Sequence, residues 1–105
     1  MDEPLICFCT CPDEAVAETL AQAMVERRLA ACVNILPAVR SVYRWQGQVE
    51  SAAEAMLWLK TTRSRYAALE NALRAAHPYE LPEIVAVSIT AGSDAYLQWI
   101  NDSLA

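Results

Sequence analysis

The residues best suited to chemistry lie in a seven-residue segment that runs from His77 to Glu83. It contains the only histidine of the chain, two of the five prolines and two carboxylates. The prolines at 78 and 82 drive the residue before each of them to extended backbone, so His77 and Leu81 are expected outside the helical region. A stiff loop of this kind can hold an imidazole and carboxylates in fixed positions, as a ligand site requires. The simpler alternative is that His77 only ends a helix, where the helix dipole favours a cationic ring.

The four cysteines form a second set of reactive groups. Cys7, Cys9 and Cys11 alternate along a short apolar run, and Cys32 follows later. In a strand the three thiols would share one face, with neighbouring Cα atoms about 6.5–7 Å apart. Two sulfurs on one zinc or copper ion lie at most about 4.6 Å apart, so a straight strand does not readily wrap one ion with all three. Pro12 is expected to bend Cys11 away from that face.

The cysteine pattern also bears on the redox state and the role of each thiol. Free thiols are favoured over a disulfide framework in a chain of this size without a secretory signal. Cys7 and Cys32 are interpreted as small buried apolar groups. Cys9 and Cys11 lie nearer the end of the run and are more open to a functional role.

Composition excludes several classes of function. The 105 residues predict a single domain, residues 1–105, and 55% hydrophobic content excludes disorder. A net charge of −5 argues against a nucleic-acid partner, which requires clustered basic residues. No apolar run approaches the roughly 20 residues of a membrane span. The acidic start lacks the basic region of a secretory signal, so we predict a cytoplasmic protein.

Hydrophobic periodicity and turn residues predict the elements that position these groups. The predicted elements are a strand at Leu5–Thr10, a helix of about four turns whose first turn is Pro12-Asp13-Glu14, a long strand at Cys32–Trp45 kinked at Pro37, a strand at about Gln48–Thr61, a helix at about Ser64–Ala76, a strand at Ile84–Thr90 and a final helix capped by Ser93.

The stretch from 50 to 76 is ambiguous by composition. Its alanine, glutamate, leucine and arginine residues are compatible with one long helix. However, Gln46-Gly47 is a turn signal that requires a returning strand. Thr61-Thr62 followed by Ser64 offers N-caps for a new helix in the middle of the run. We therefore predict a strand followed by a helix.

The resulting order, β-α-β-β-α-β plus a C-terminal helix, predicts an α+β, ferredoxin-like fold. This fold has a four-stranded antiparallel sheet with two helices on one face. Nothing in the chain except the last helix could cover the other face, yet the strands carry apolar and aromatic residues on both faces, for example Tyr43 and Trp45 with Val42. The long central hairpin also exceeds the length of the other strands. An exposed apolar face and unpaired strand edges predict a homo-oligomer of undetermined number.

Five ordered segments together resemble the CutA family, the divalent-cation tolerance proteins. The segments are Cys9-Thr10-Cys11-Pro12-Asp13-Glu14, Leu29-Ala30-Ala31-Cys32-Val33-Asn34-Ile35-Leu36-Pro37, Ser41-Val42-Tyr43-Arg44-Trp45-Gln46-Gly47, Leu59-Lys60-Thr61 and His77-Pro78-Tyr79-Glu80-Leu81-Pro82-Glu83-Ile84. The resemblance implies a ferredoxin-like homotrimer whose long hairpins join subunits through intersubunit sheets, an architecture similar to that of PII signalling proteins. It also implies tolerance of copper and other divalent ions, without catalysis.

The resemblance further implies a metal site formed by Cys9, His77 and Glu83. Thiolate, imidazole and carboxylate together suit copper or zinc better than magnesium or calcium. Without the resemblance, Glu83 would be interpreted as a solvated carboxylate at a strand start. Cys7 and Cys11 depart from the family pattern, where aliphatic or small residues are usual, so they either strengthen a soft-metal site or add thiols that oxidise.

Two alternatives compete with metal binding. An intersubunit cleft that holds an anion or small molecule would make the protein a PII-like signalling or scaffold module. The cleft residues would be Tyr43, Arg44, Trp45, Lys60 and Tyr79. These residues also suit simple packing at a subunit interface. A Cys9–His77 nucleophile pair would make it a thiol hydrolase. The chain has no glycine-rich phosphate loop. We predict a copper-binding homotrimer that is not an enzyme, with zinc as the other candidate ion.

Overall fold

The computed structural model describes residues 1–105 and has the predicted element order with its C-terminal helix. The elements are β1 (Pro4–Cys11), α1 (Glu14–Glu26), β2 (Cys32–Trp45), β3 (Gln48–Thr62), α2 (Arg63–Ala76), β4 (Val85–Ser88) and α3 (Asp94–Leu104). The strands form one antiparallel sheet in the order β2-β3-β1-β4. The α+β, ferredoxin-like prediction is therefore confirmed. No helix of the structure combines the length and apolar character needed to cross a membrane.

The ambiguous stretch divides into strand and helix, as predicted, but its helix is capped differently. Thr62 occupies the N-cap position of α2 and makes no side-chain capping bond. Instead, the Asp2 carboxylate accepts a hydrogen bond from the Ser64 backbone N–H at 3.3 Å. A carboxylate from the start of the chain thus satisfies one of the unpaired amides at this helix end. The predicted N-cap position is confirmed at Thr62, but the capping hydrogen bond comes from Asp2 and not from the Thr62 side chain.

The start of α1 also differs from the prediction. Asp13 is the N-cap, and its side chain accepts a hydrogen bond from the Val16 N–H at 2.8 Å. Pro12 and Asp13 therefore precede the helix and do not form its first turn. An Asp at this position satisfies an unpaired N–H of the first turn, which explains why the helix begins one residue after it. Strand β1 can then continue as far as Cys11.

The hydrophobic core lies between the sheet and the helices α1 and α2. Its strand side includes Leu57 and Leu59 together with Cys7, Cys9 and Cys11, all of them fully buried. The prediction that the three thiols share a face is confirmed. The expectation that Pro12 bends Cys11 away was wrong, because Cys11 keeps its ladder position opposite Ala55 in β3.

The hairpin formed by β2 and β3 extends beyond the rest of the sheet. Pairing between β1 and β3 runs only from Ala55 to Thr62, so residues 48–54 of β3 pair with β2 alone. A register shift between Leu36 and Val39 marks a bulge, which confirms the kink predicted at Pro37. The predicted overhang with unpaired edges is present.

Strand β4 is shorter than the predicted Ile84–Thr90. It pairs with β1 only from Phe8 to Leu5. Ile89 leaves the strand to pack beside α3, against a small buried cluster that contains Ile100 and Leu104. The end of β1 beyond Phe8 therefore has no β4 partner, and the loop before β4 is available to cover it.

Candidate metal centre

Three side chains with metal-binding atoms meet at the end of β1. The sulfurs of Cys9 and Cys11 and a ring nitrogen of His77 all lie within 4.8 Å of one another. Both cysteines are fully buried and His77 is 8% exposed. The two thiols alternate along the helix-side face of β1, while the histidine comes from the loop that follows α2. The cluster therefore belongs to a single chain.

The loop positions His77 through its backbone and through its ring. His77 is the C-cap of α2, and its N–H donates to the Leu73 carbonyl at 2.9 Å. Its backbone is extended, with φ −76° and ψ 139°, as Pro78 predicts. The ring nitrogen Nε2 lies 2.7 Å from the Thr10 carbonyl oxygen. Because β4 pairs with β1 only as far as Phe8, this contact gives the buried Thr10 carbonyl a hydrogen-bond donor.

The hydrogen bonds assign the proton on the His77 ring. The Tyr79 backbone N–H donates to Nδ1 at 3.1 Å, so Nδ1 carries no proton and Nε2–H donates to Thr10. A metal bound at Nδ1 would take the lone pair that Tyr79 uses. A metal bound at Nε2 would move the ring proton to Nδ1, where it faces the Tyr79 N–H. In both cases Tyr79 must give up this bond, so metal binding at His77 is linked to the position of Tyr79.

Burial and the interaction between two of the thiols set their ionisation. Burial raises the pKa of the Cys7 thiol to about 12. Interaction with the Cys11 sulfur, together with burial, raises the pKa of Cys9, whose thiol donates to the Thr10 carbonyl at 3.8 Å. Interaction with the Cys9 thiol lowers the pKa of Cys11. Of this pair, Cys11 therefore ionises first. Metals bind thiolates, so a metal that enters here must displace thiol protons.

The predicted metal ligands are not all gathered in this cluster. Cys9 and His77 lie together, whereas Glu83 is exposed and lies outside the group. Cys11 takes part in the cluster although the resemblance did not assign it a role. The alternation of Cys9 and Cys11 along one strand was the signal that could have found it. The bend expected at Pro12 argued against that signal.

A groove of about 770 Å³ lies beside the cluster and contains Glu83. Its lining residues are Thr10, Ser41, Val42, Tyr43, Arg44, Trp45, Glu54, Tyr79, Leu81, Pro82 and Glu83. The Tyr79 hydroxyl donates to the Glu54 carboxylate at 2.6 Å, and burial and this bond raise the pKa of Tyr79. Lys60, the fifth predicted cleft residue, instead donates to the Asn34 side chain and does not line the groove.

The donor set of the cluster fits a soft or borderline metal ion. Thiolate sulfur and imidazole nitrogen favour copper and zinc over magnesium and calcium. The donor atoms lie within 4.8 Å of one another, and two sulfurs on one ion lie at most about 4.6 Å apart. At most a closure of a few tenths of an ångström is needed to bring the two sulfurs within range.

Comparison with known proteins decides the family. A family model described as "CutA1 divalent ion tolerance protein" matches residues 5–103. The chain belongs to this family. Among its relatives, the divalent-cation tolerance protein CutA of Thermus thermophilus is 49% identical over 94 residues, which cover 90% of this chain and 91% of that protein. The crystal structure of CutA from Xylella fastidiosa superposes with a TM-score of 0.95 at 43% identity and covers 98% of this chain and 99% of that one.

CutA relatives in animals are longer than this chain. Human protein CutA is 45% identical over 94 residues, which cover 90% of this chain but 52% of that protein. The chain therefore spans about half the length of several curated relatives that it matches.

Proposed function

We propose that this protein contributes to metal tolerance by binding copper ions through Cys9 and His77, without catalysing a reaction. The observation that carries the proposal is the meeting of a thiol and an imidazole, from segments 68 positions apart in the sequence, in one buried cluster with a second thiol. Their donor atoms match the ions that the family name implies. Zinc is the second candidate ion.

The absence of catalysis is supported by the state of the same groups. A nucleophilic cysteine needs a low pKa and access to its substrate. Cys9 is fully buried and its pKa is raised, and both ring nitrogens of His77 are engaged with the backbone. This arrangement favours a binding role over the thiol hydrolase alternative.

We further propose that the protein assembles with itself as a trimer in the cytoplasm, as the resemblance implies. The overhanging hairpin supports self-association because it exposes Tyr43 and Trp45, and Trp58 is exposed on the sheet. Large aromatic side chains in that position favour an interface over contact with water. Sedimentation of the native protein, expected at three times the mass of one chain, tests the number.

A calorimetric copper titration tests the copper-binding function. We expect about one ion per chain for the native protein under reducing conditions, and loss of that binding in both Cys9→Ser and His77→Ala. Cys32→Ser is the matched control, because this thiol is partly exposed and lies outside the cluster. Sedimentation must first confirm that each variant keeps the native mass. Weak binding that neither substitution changes would refute the proposed copper site.

The groove supports a second candidate function, a PII-like module that binds a small ligand or a partner protein. The observation that favours it is the juxtaposition of Arg44, the aromatic ring of Trp45 and the Tyr79–Glu54 pair in one groove. A thermal-shift screen with nucleotides and small carboxylic acids would test it. A hit that disappears in Arg44→Gln but not in Arg27→Gln, at an exposed arginine outside the groove, would favour this function.

A further inference from the structure

We infer that Cys11, and not Glu83, completes the metal centre, so that the chain carries a buried Cys-Cys-His site for monovalent copper. This inference rests on the proposed copper-binding function and specifies its ligands and its ion. The resemblance assigns the third ligand to the carboxylate of Glu83. The structure favours a different donor at that position.

The first argument is placement. The Cys11 sulfur already lies within 4.8 Å of both the Cys9 sulfur and the His77 ring. Glu83 is exposed, lines the groove and is not part of the cluster. Recruiting its carboxylate would require the loop to move a solvated charge into a buried site, which carries a desolvation cost. Recruiting Cys11 requires only a small closure.

The second argument is that the sheet holds both thiols on the same face. Cys9 pairs with Leu57 and Cys11 with Ala55 in an uninterrupted antiparallel ladder. Successive odd-numbered residues of a regular strand point to the same side. The two sulfurs are therefore close together before any metal binds. The fold already holds the backbone of both ligands in place.

The third argument concerns the ion. Two thiols and one imidazole give three donors, two of them soft, and all three residues are buried. Soft thiolate ligands select monovalent copper and zinc over harder ions. Zinc in structural sites takes four ligands, and this cluster offers three. Zinc would balance the charge of two thiolates better, so a zinc titration is the direct competitor experiment.

The test is an anaerobic titration of the reduced native chain with monovalent copper, in competition with a chromophoric chelator of that ion. We expect one copper per chain, with Cys11→Ser weakening the affinity at least about 100-fold, because loss of a direct ligand should exceed the 10–100-fold typical of outer-shell partners. Glu83→Gln and Cys32→Ser are the controls and should bind as the native chain does. Zinc should bind at least tenfold more weakly than monovalent copper under the same competition.

The outcomes separate the two proposals. If the native chain binds no copper, both the proposed function and this inference fail. If the native chain binds copper but Cys11→Ser binds equally well, or if Glu83→Gln loses the ion, the function stands and this inference fails. Equal or tighter binding of zinc through the same residues would overturn the choice of ion.

A spectroscopic measurement covers the case in which Cys11→Ser does not fold. X-ray absorption of the copper-loaded native chain reports the ligands directly. Two sulfurs at about 2.3 Å and one nitrogen at about 2.0 Å would support the inference. One sulfur with one nitrogen and added oxygen ligands would overturn it in favour of the carboxylate.

Discussion

The end of β1 presents two faces that differ in almost every physical respect. On the helix side, Cys9 and Cys11 are fully buried and form a cluster with His77. On the other side, Thr10 lines an open groove with exposed aromatic residues of the hairpin. The first face is complete within one chain, because every donor comes from the same subunit. Nothing within the chain covers the groove face. We therefore propose metal binding at the buried cluster, and assembly or ligand binding at the groove.

Two neighbouring residues connect these faces. His77 lies in the thiol cluster, and Tyr79 lines the groove, where its hydroxyl donates to Glu54. The Tyr79 N–H donates to the His77 ring. The comparison therefore predicts that substitutions can abolish metal binding at the cluster or assembly at the groove separately. It also predicts that metal binding at the cluster causes a small change at Tyr79 in the groove.

The largest effect should come from a charge on the open face. We expect Trp45→Asp to abolish self-association, because a buried carboxylate without a partner is costly at an interface. Light scattering should then report the mass of a single chain, while the affinity for copper stays within about twofold of native, since the cluster needs no second subunit. Val25→Asp, at an exposed position on α1, is the control and should keep the native mass. If Trp45→Asp keeps the native mass too, the hairpin is not the interface.

A smaller effect is expected from removing the ring on the buried face. His77→Ala should lower the free energy of unfolding by about 2–4 kcal/mol, since it leaves a cavity and deprives the buried Thr10 carbonyl of its donor. His77→Gln keeps an N–H donor and should recover part of the loss. Urea denaturation of the metal-free chains measures both. Equal stability of His77→Ala and the native chain would mean that the Thr10 contact contributes nothing.

Alkaline pH should lower the free energy of unfolding because the buried face contains thiols with raised pKa values. Because burial raises the folded pKa of Cys7 to about 12, the unfolded chain loses this proton near pH 9 while the folded chain keeps it. Stability therefore falls between about pH 9 and 12, by up to about 1.4 kcal/mol per pH unit for one such group. Tyr66 and Tyr79 add to the loss above pH 10, since their pKa values are also raised.

The matched variant is Cys7→Ala, which removes one thiol from outside the metal cluster. Its unfolding free energy should fall less steeply between pH 9 and 10, below the range in which tyrosines ionise, although its value at neutral pH also changes through packing. Urea titrations at half-unit pH steps give the slope. An unchanged slope would show that Cys7 ionises as easily in the folded as in the unfolded chain.

The smallest effect concerns the link between the faces. Monovalent copper should break the Tyr79 N–H bond to the His77 ring, and the loss of about 1 kcal/mol predicts about fivefold faster amide exchange at Tyr79. The Ala31 amide, which donates to the Lys60 carbonyl at 2.8 Å, is the control and should not change. Exchange measured by NMR on apo and copper-loaded protein decides this. Unchanged exchange at Tyr79 would mean that copper binds without using the His77 ring.

The sequence alone predicted those features that depend on local pattern. The extended backbone at His77 followed from Pro78, and the shared face of the thiols followed from their alternation. Gln46-Gly47 predicted the hairpin, and both residues take the positive φ values that such a turn requires. In each case the information lies within a few neighbouring residues.

Features that depend on distant pairs were not predicted. The cap of α2 is Asp2, 62 positions from the amide that it accepts from, and no local pattern encodes that contact. Tyr79 and Glu54 are 25 positions apart and pair only because the hairpin overhangs the loop. Cys11 was left open to a functional role but was not counted as a ligand, since Pro12 was expected to bend it away; the pairing of β1 with β3 keeps Cys11 in the strand. Tertiary pairing overrode a local preference there.

The bulge in β2 changes the alternation of side chains along the hairpin. Leu36 pairs with Met56 and Val39 with Glu54, so β2 advances three residues while β3 advances two. Ala38, with φ at 59°, occupies the left-handed region to absorb the extra residue. Everything from Val39 to the hairpin tip is thereby shifted by one step in its alternation, which places Tyr43 and Trp45 on the groove side. Deleting Ala38 would therefore straighten the hairpin without turning it over: Val39 would follow Leu36 by two residues, just as Glu54 and Met56 stand two apart, so the pairing with β3 and the groove-facing aromatic side chains would be kept and only the local bend would be lost.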